Sequence, residues 1–446
     1  MALLQDDPQA SPAAGQPARE PTATSRTEQT ERPHTPAHDT APDRDPDPAP
    51  DPAPDASPAD ASPAPEPPLE PARALLAAHP VADGHNGLAW ALRSVPWSDI
   101  ELGESTLDTD LPRLRSGGIG AQFWSLHTYG RQGAGTTQQP TGPAPDARAA
   151  PGAGPTPTAG PASTAGPASP GPAPHGDRER DCTAALTLEQ IDRVLALVRS
   201  HPEGLRLALS AGEIGAARSC GRIASLLGPA QATAIGDSLG ALRSLHALGV
   251  RILTLTGTAW APPTGLTRFG QEVVREMNRI GMLVDLSGAT PETARATLTV
   301  TKAPVVFTRS GAAALNSHPA NVPDDVLRAV HANGGLCMVP FSADATGSSV
   351  HDVADHLDHV RSLAGPDCVG LSGTYDTGSG HPAGLTDAAG YPLVIAELLE
   401  RGWPEADLAR LTWGNLLRVL RDMEFAARAA QERRGPSTAR IEEMDG

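Results

Sequence analysis

Between Val250 and Val330 three short apolar runs alternate with two amphipathic segments, and this pattern constrains the fold more than any other feature of the chain. The runs are residues 250–256, 282–286 and 304–308. Alternation of this kind predicts strand–helix–strand units and a parallel sheet. Between the first two runs, Phe269, Val273, Met277 and Ile280 recur on one face of a helix, and Gly281 stands where a glycine follows a helix end. The next helix opens with Thr290-Pro291-Glu292, a cap, a proline in the first turn and an acid at the positive helix end. A third opens at Asn321-Val322-Pro323-Asp324-Asp325 and stops at Gly334-Gly335. If such a sheet closes into a barrel, its chemistry belongs at the C-terminal strand ends. Those ends carry Gly257, Gly288 and Arg309, a chemically poor set.

The same reading extends along the chain. Eight runs qualify as strands: residues 80–84, 119–124, 223–227, 252–256, 282–286, 304–308, 336–341 and 368–372, with 205–209 as a short extra one. Helical patterns fill most gaps between them, which predicts an α/β fold of the (β/α)8 TIM-barrel type. A doubly wound open sheet is the second choice. No Gly-x-Gly-x-x-Gly follows a strand, so dinucleotide binding has no support.

Composition sets the domain limits. Residues 1–72 form a Pro/Ala/Asp-rich tail. Its first 70 positions hold 14 acidic residues against 4 arginines, a net of −10 out of −17 for the chain. A tail of this kind has too little apolar surface to offset its ordering entropy. Residues 131–180 are similarly biased and predict a disordered insertion. The barrel is thus expected over 73–130 and 181–430, with a flexible C-terminal tail over 431–446. No basic patch suggests nucleic acid, and no run approaches the ~18 apolar residues of a membrane span. The start, MALLQDDPQA, lacks the pattern of a secretory signal. Cys182, Cys220, Cys337 and Cys368 are scattered without a Cys-x-x-Cys, so reduced thiols and a cytoplasmic location are expected.

Specific stretches then carry a resemblance. VADGHNG, GGIGAQFW, TLEQID, GRIASLLG, LGVRILTLT, GLTRFGQEVVREMNRIGMLVDLS, APVVFT, HPANVPDDVLRAV, VADHLDHV and WGNLLRVL stand in this order. Together they resemble the membrane (renal) dipeptidase family of zinc peptidases, over about residues 81–419 apart from the insertion. The resemblance implies a (β/α)8 barrel, a two-zinc site at the strand mouths and a homodimer.

Most functional positions depart from the family pattern. Where the family has His-x-Asp, both metal ligands, this chain has His85-Asn86-Gly87. Ala230 stands for the bridging glutamate, and Gly288 and Arg309 stand for two ligand histidines. Gly257 stands for a substrate-contacting histidine, Ala320 for the arginine that holds the substrate carboxylate, and Thr374 for a catalytic aspartate. Of the metal positions only His85 is retained. A catalytic zinc takes about three protein ligands, so no metal or other cofactor is expected.

The first expectation is therefore a catalytically inactive homologue that binds a small ligand or a protein partner. His85, Arg309, Asp285, Asp376 and Ala320 would line its pocket. Arg309 is expected to fill the space of the metals and to form a salt bridge or hold a bound anion; Asp285, Asp376 and free carbonyls at neighbouring strand ends are the candidate partners, Asp376 the first choice. One alternative is an active zinc dipeptidase rearranged around His85, Asp285 and Asp376. Another is a scaffold acting through the two biased segments. His351, Asp355 and His359 share one helix face and could be taken for a metal site; a solvated polar face is the preferred reading. Glu213 and Cys220 show no evident partner, and Gly378-Ser379-Gly380 predicts a loop rather than a phosphate cradle.

Overall fold

The computed structural model describes residues 69–95, 99–103, 106–127 and 175–446. The tail and insertion expected from composition lie outside these residues, apart from their last positions. These open the helices Leu69–Ala78 and His175–Ser200. The first barrel helix thus begins at Leu69, before the expected boundary, because Ala72, Leu75 and Leu76 are buried on one of its faces.

Among the described residues nine parallel strands follow in chain order: β1 (Val81–Asn86), β2 (Ile119–Leu126), β3 (Leu205–Leu207), β4 (Ile223–Gln231), β5 (Ile252–Thr254), β6 (Leu283–Asp285), β7 (Val305–Phe307), β8 (Leu336–Pro340) and β9 (Val369–Ser372). Their order is β2-β1-β9-β8-β7-β6-β5-β4-β3, and a further pairing of β2 with β4 closes the ring. Eight strands therefore make a closed (β/α)8 barrel, and the open-sheet alternative is excluded. The ninth, β3, shares an edge of β4. It pairs with the start of that strand, Leu205 beside Ile223, while β5 pairs with its end, Leu253 beside Ala230. All eight expected strands and the short extra one are present.

Burial explains why the strands are such continuous apolar runs. Alternate residues face opposite sides of a sheet. Leu253, Val284, Val305, Phe307, Cys337 and Val339 belong to one buried cluster with Val273, Met277, Val330 and Leu357 of the surrounding helices. Their neighbours Ile252, Leu283, Val306, Leu336 and Met338 belong to a second cluster on the opposite side, the barrel interior. Both faces are covered, as parallel sheets require.

The caps expected at Gly281 and Thr290 are in place, and Thr267 adds one that was not expected. Thr267 accepts from the Gly270 amide at the start of the helix Arg268–Ile280, and Gly281 ends it at φ 79°. Thr290 caps Pro291–Val300 in the same way. Asn321 does a different job: its side-chain oxygen accepts from Gly311 N at 2.8 Å and so holds the loop after β7.

The end of the chain departs from the sequence reading. Residues 431–446 were expected as a flexible tail, yet the helix Asn415–Arg433 runs into them and the remainder folds back. Arg243 donates to Ser437 O at 3.0 Å. Asp445 accepts from Thr267 Oγ1 at 2.5 Å and from Phe269 N, capping the helix Arg268–Ile280. The physical reason is a second set of donors at that helix N-terminus, which a carboxylate satisfies.

Candidate functional site at the barrel mouth

The C-terminal ends of β2, β5, β6 and β7 converge on one polar group. Asp285, fully buried at the end of β6, accepts five hydrogen bonds. Oδ1 takes Ser287 N at 3.1 Å, Ser287 Oγ at 2.7 Å and Thr308 N at 3.0 Å. Oδ2 takes Thr254 Oγ1 at 2.6 Å and Thr308 Oγ1 at 3.0 Å. Arg309, next after Thr308, places Nη1 3.8 Å from Asp285 Oδ2, with 26% of its side chain exposed. Its Nη2 lies 3.4 Å from His127 Nδ1. Arginine can only donate, so Nδ1 accepts and the His127 proton sits on Nε2. That nitrogen is 3.1 Å from Thr254 Oγ1. A directed chain results: Arg309 to His127, His127 to Thr254, Thr254 to Asp285.

His85 completes the cluster from β1. Its ring centroid is 5.3 Å from that of His127, edge to face. Both imidazoles are held well below the usual histidine range, by burial first and then by the charge of Arg309. Two residues earlier, Asp83 accepts from Gln122 Nε2 at 2.7 Å and Gly373 N at 2.8 Å. Burial nevertheless pushes its carboxyl up to about 6.

Asp376 belongs to a different group, which corrects the expected pairing with Arg309. Its Oδ1 accepts from Asp108 N at 2.9 Å, and its own N–H donates to Asp108 Oδ2 at 2.9 Å. His381 adds Nε2 at 3.4 Å from the same Asp108 oxygen and Nδ1 at 2.6 Å from Phe341 O. This reciprocal bond ties the loop after β9 to the segment before the helix Leu111–Ser116. Burial pushes the Asp376 carboxyl up to about 7. Asp285 takes the Arg309 charge instead, because it stands on the strand next to β7.

The remaining expected positions are placed as follows. Ala230 is buried and pairs with Leu253. Gly257 and Gly288 both hold φ 76°, a left-handed conformation that disfavours any other residue. Thr374 also holds positive φ, 53°, which is strained for a β-branched side chain. Gly87 donates its amide to Tyr375 O at 2.7 Å, and a Cβ at position 87 would lie 2.3 Å from Asp376 O. Ala320 lies in the turn ahead of the helix Asp324–Asn333, its amide 3.2 Å from His318 Nδ1.

The tempting surface residues are tied to neighbouring side chains. His351 pairs with Glu397 at 2.8 Å, Asp355 with Arg401 at 2.6 Å and His359 with Asp324 at 2.8 Å. Glu213, expected to lack a partner, accepts from Leu209 N at 2.7 Å. His127, Thr254 and Asp83 are the site residues that the sequence reading missed. The strand-end rule could have found His127 had β2 been extended to Leu126.

A closed parallel (β/α)8 barrel with a polar cluster at the C-terminal strand ends places its site where barrel enzymes carry theirs. Residues 69–434 match the membrane dipeptidase family, peptidase family M19. The chain is 36% identical to mouse Dipeptidase 3 over 80% of its own length and 66% of that protein, and 35% identical to human Dipeptidase 3 over 79% and 67%. It thus spans about two thirds of the length of these relatives. A metallopeptidase from Rhodobacter sphaeroides, solved with a phosphinate mimic of the dipeptide L-Ala-D-Ala, superposes with a TM-score of 0.63 at 22% identity, over 77% of this chain and 99% of that one. The chain belongs to the membrane dipeptidase family.

Proposed function

We propose that this protein is a membrane-dipeptidase-like barrel that has lost hydrolysis and binds a small ligand or a protein partner at its mouth. The observation that carries the reading is the closure at Gly87. The space that a ligand side chain at this position would need is taken by the Asp376 carbonyl, 2.3 Å from an ideal Cβ. The zinc pair of the family does not fit the residues present. His85 faces His127 and the guanidinium of Arg309, whose charge repels a cation. Among the described residues, no group of three or more His, Cys, Asp or Glu side chains is arranged to hold a metal. Without a metal, water keeps its high pKa and is a poor nucleophile.

The rearranged enzyme has less support. Asp285 is saturated by five donors, and Asp376 is turned to Asp108. Neither is free to act as a base on water. The test is metal analysis of the purified full chain together with a dipeptide panel. Less than a tenth of an equivalent of zinc and no turnover are expected. Stoichiometric zinc with hydrolysis would refute the reading.

A further inference from the structure

Arg309 carries more hydrogen-bonding capacity than the mouth satisfies. Its nearest carboxylate is 3.8 Å away and already accepts five donors. Among the described residues Nη1 is enclosed and meets no hydrogen-bond acceptor, and Nη2 has only the long contact to His127 Nδ1 at 3.4 Å. An enclosed guanidinium with unmet N–H groups is costly, and an incoming anion relieves that cost. With 26% of the side chain exposed, Arg309 is reachable from outside; seating a carboxylate on both Nη atoms requires the enclosed Nη1 to turn toward the mouth.

We propose that the mouth binds the carboxylate of a small monoanion, with both oxygens on the Arg309 guanidinium beside His127. This rests on the ligand-binding reading above and names the ligand class. The planar guanidinium matches a carboxylate in two parallel hydrogen bonds. One guanidinium offers one fork, and the Asp285 carboxyl 3.8 Å from it opposes each further negative charge, so a monoanion is preferred to a dianion. A neutral ligand would leave the guanidinium unmatched.

The experiment is calorimetric titration of the full chain with sodium acetate and with sodium phosphate at constant ionic strength. Saturable acetate binding is expected, with Kd on the order of 1 mM, as befits so small a ligand. Arg309→Gln should abolish it, and Arg309→Lys should weaken it at least fivefold. If Arg309→Gln does not fold, the imidazole ¹⁵N signals of His127 in the unaltered chain serve instead, and they should move with acetate. Equal binding by the chain and Arg309→Gln, no binding at all, or unmoved His127 signals would overturn the site. Tighter binding of phosphate than of acetate would overturn the carboxylate assignment. Zinc uptake with dipeptide turnover would sink the ligand-binding reading itself, a result the acetate titration cannot produce.

Discussion

Arg309 Nη1 stands 3.8 Å from Asp285 Oδ2, beyond hydrogen-bonding distance, because the carboxylate is already filled by Thr254, Ser287 and Thr308. The two charges attract, but the neutral donors hold the acid in place. This ranks the groups. A partly exposed pair without a hydrogen bond contributes about 1 kcal/mol or less, whereas a buried acceptor that loses a donor costs about 1–3 kcal/mol.

Thr254→Val should therefore destabilise more than Arg309→Gln. The valine removes the donor to Asp285 at 2.6 Å and the acceptor of His127 at 3.1 Å. Urea unfolding at pH 7 measures both, and the reverse order would show that Arg309, not Thr254, anchors Asp285.

His127 should be the neutral tautomer with its proton on Nε2 throughout pH 6 to 8. Arg309 can only donate to Nδ1, and burial and the arginine charge hold the ring well below the usual histidine range. Long-range ¹H–¹⁵N spectra distinguish the tautomers. Proton signals from both ring nitrogens would contradict the chain from Arg309 to Asp285.

The Asp376 carboxyl, pushed up to about 7 by burial, makes folding take up a proton. Its contribution is fully present below the unfolded pKa of about 3.9 and is lost as pH rises through about 7. Asp83, at about 6 through burial, acts with the same sign. The lowered imidazoles of His85 and His127 act oppositely, losing stability as pH falls below the usual histidine value. Asp376→Asn keeps the acceptor for Asp108 N but removes the charge. Relative to the unaltered chain it should gain roughly 2–4 kcal/mol between pH 4 and pH 8. Denaturation at several pH values checks this, and a pH-independent difference would mean that Asp376 is solvated.

Restoring one family ligand should not restore hydrolysis. Gly87→Asp forces a Cβ against Asp376 O and should cost about 1–3 kcal/mol as overpacking. Gly288→His meets open space, its nearest neighbour being Thr256 Cγ2 at 4.0 Å, but must adopt φ 76° at about 1–2 kcal/mol. A set of Gly87→Asp, Ala230→Glu, Gly288→His, Arg309→His and Thr374→Asp also needs the segment 375–377 to move. Zinc-dependent turnover of a dipeptide by any single variant would contradict this.

Asp445→Ala should lower stability by about 0.5–2 kcal/mol, the usual value of a lost cap. Its carboxylate accepts from Thr267 Oγ1 and Phe269 N. Thermal unfolding of the variant, compared with a chain ending at Arg433, measures how much of the C-terminal contribution runs through this cap. An unchanged midpoint for both would show that the segment does not hold the helix.

Local chemistry was legible in the amino-acid sequence. Strand runs, helix faces and the caps at Thr290 and Gly281 depend on residues a few positions apart, so spacing reveals them. The substituted strand ends were equally plain, since Gly87, Gly288 and Arg309 follow recognisable runs. Tertiary structure decided what those ends meet. Asp285 and Asp376 were equivalent in sequence as strand-end acids. Ring order brought Asp285 on β6 beside Arg309 after β7, while the loop after β9 carried Asp376 to Asp108, 268 positions away. The same closure set the Asp376 carbonyl over Gly87 and drew Asp445 onto Thr267, 178 positions away. Contacts of such separation depend on where the barrel places each strand, a property of the packed whole that no local pattern encodes.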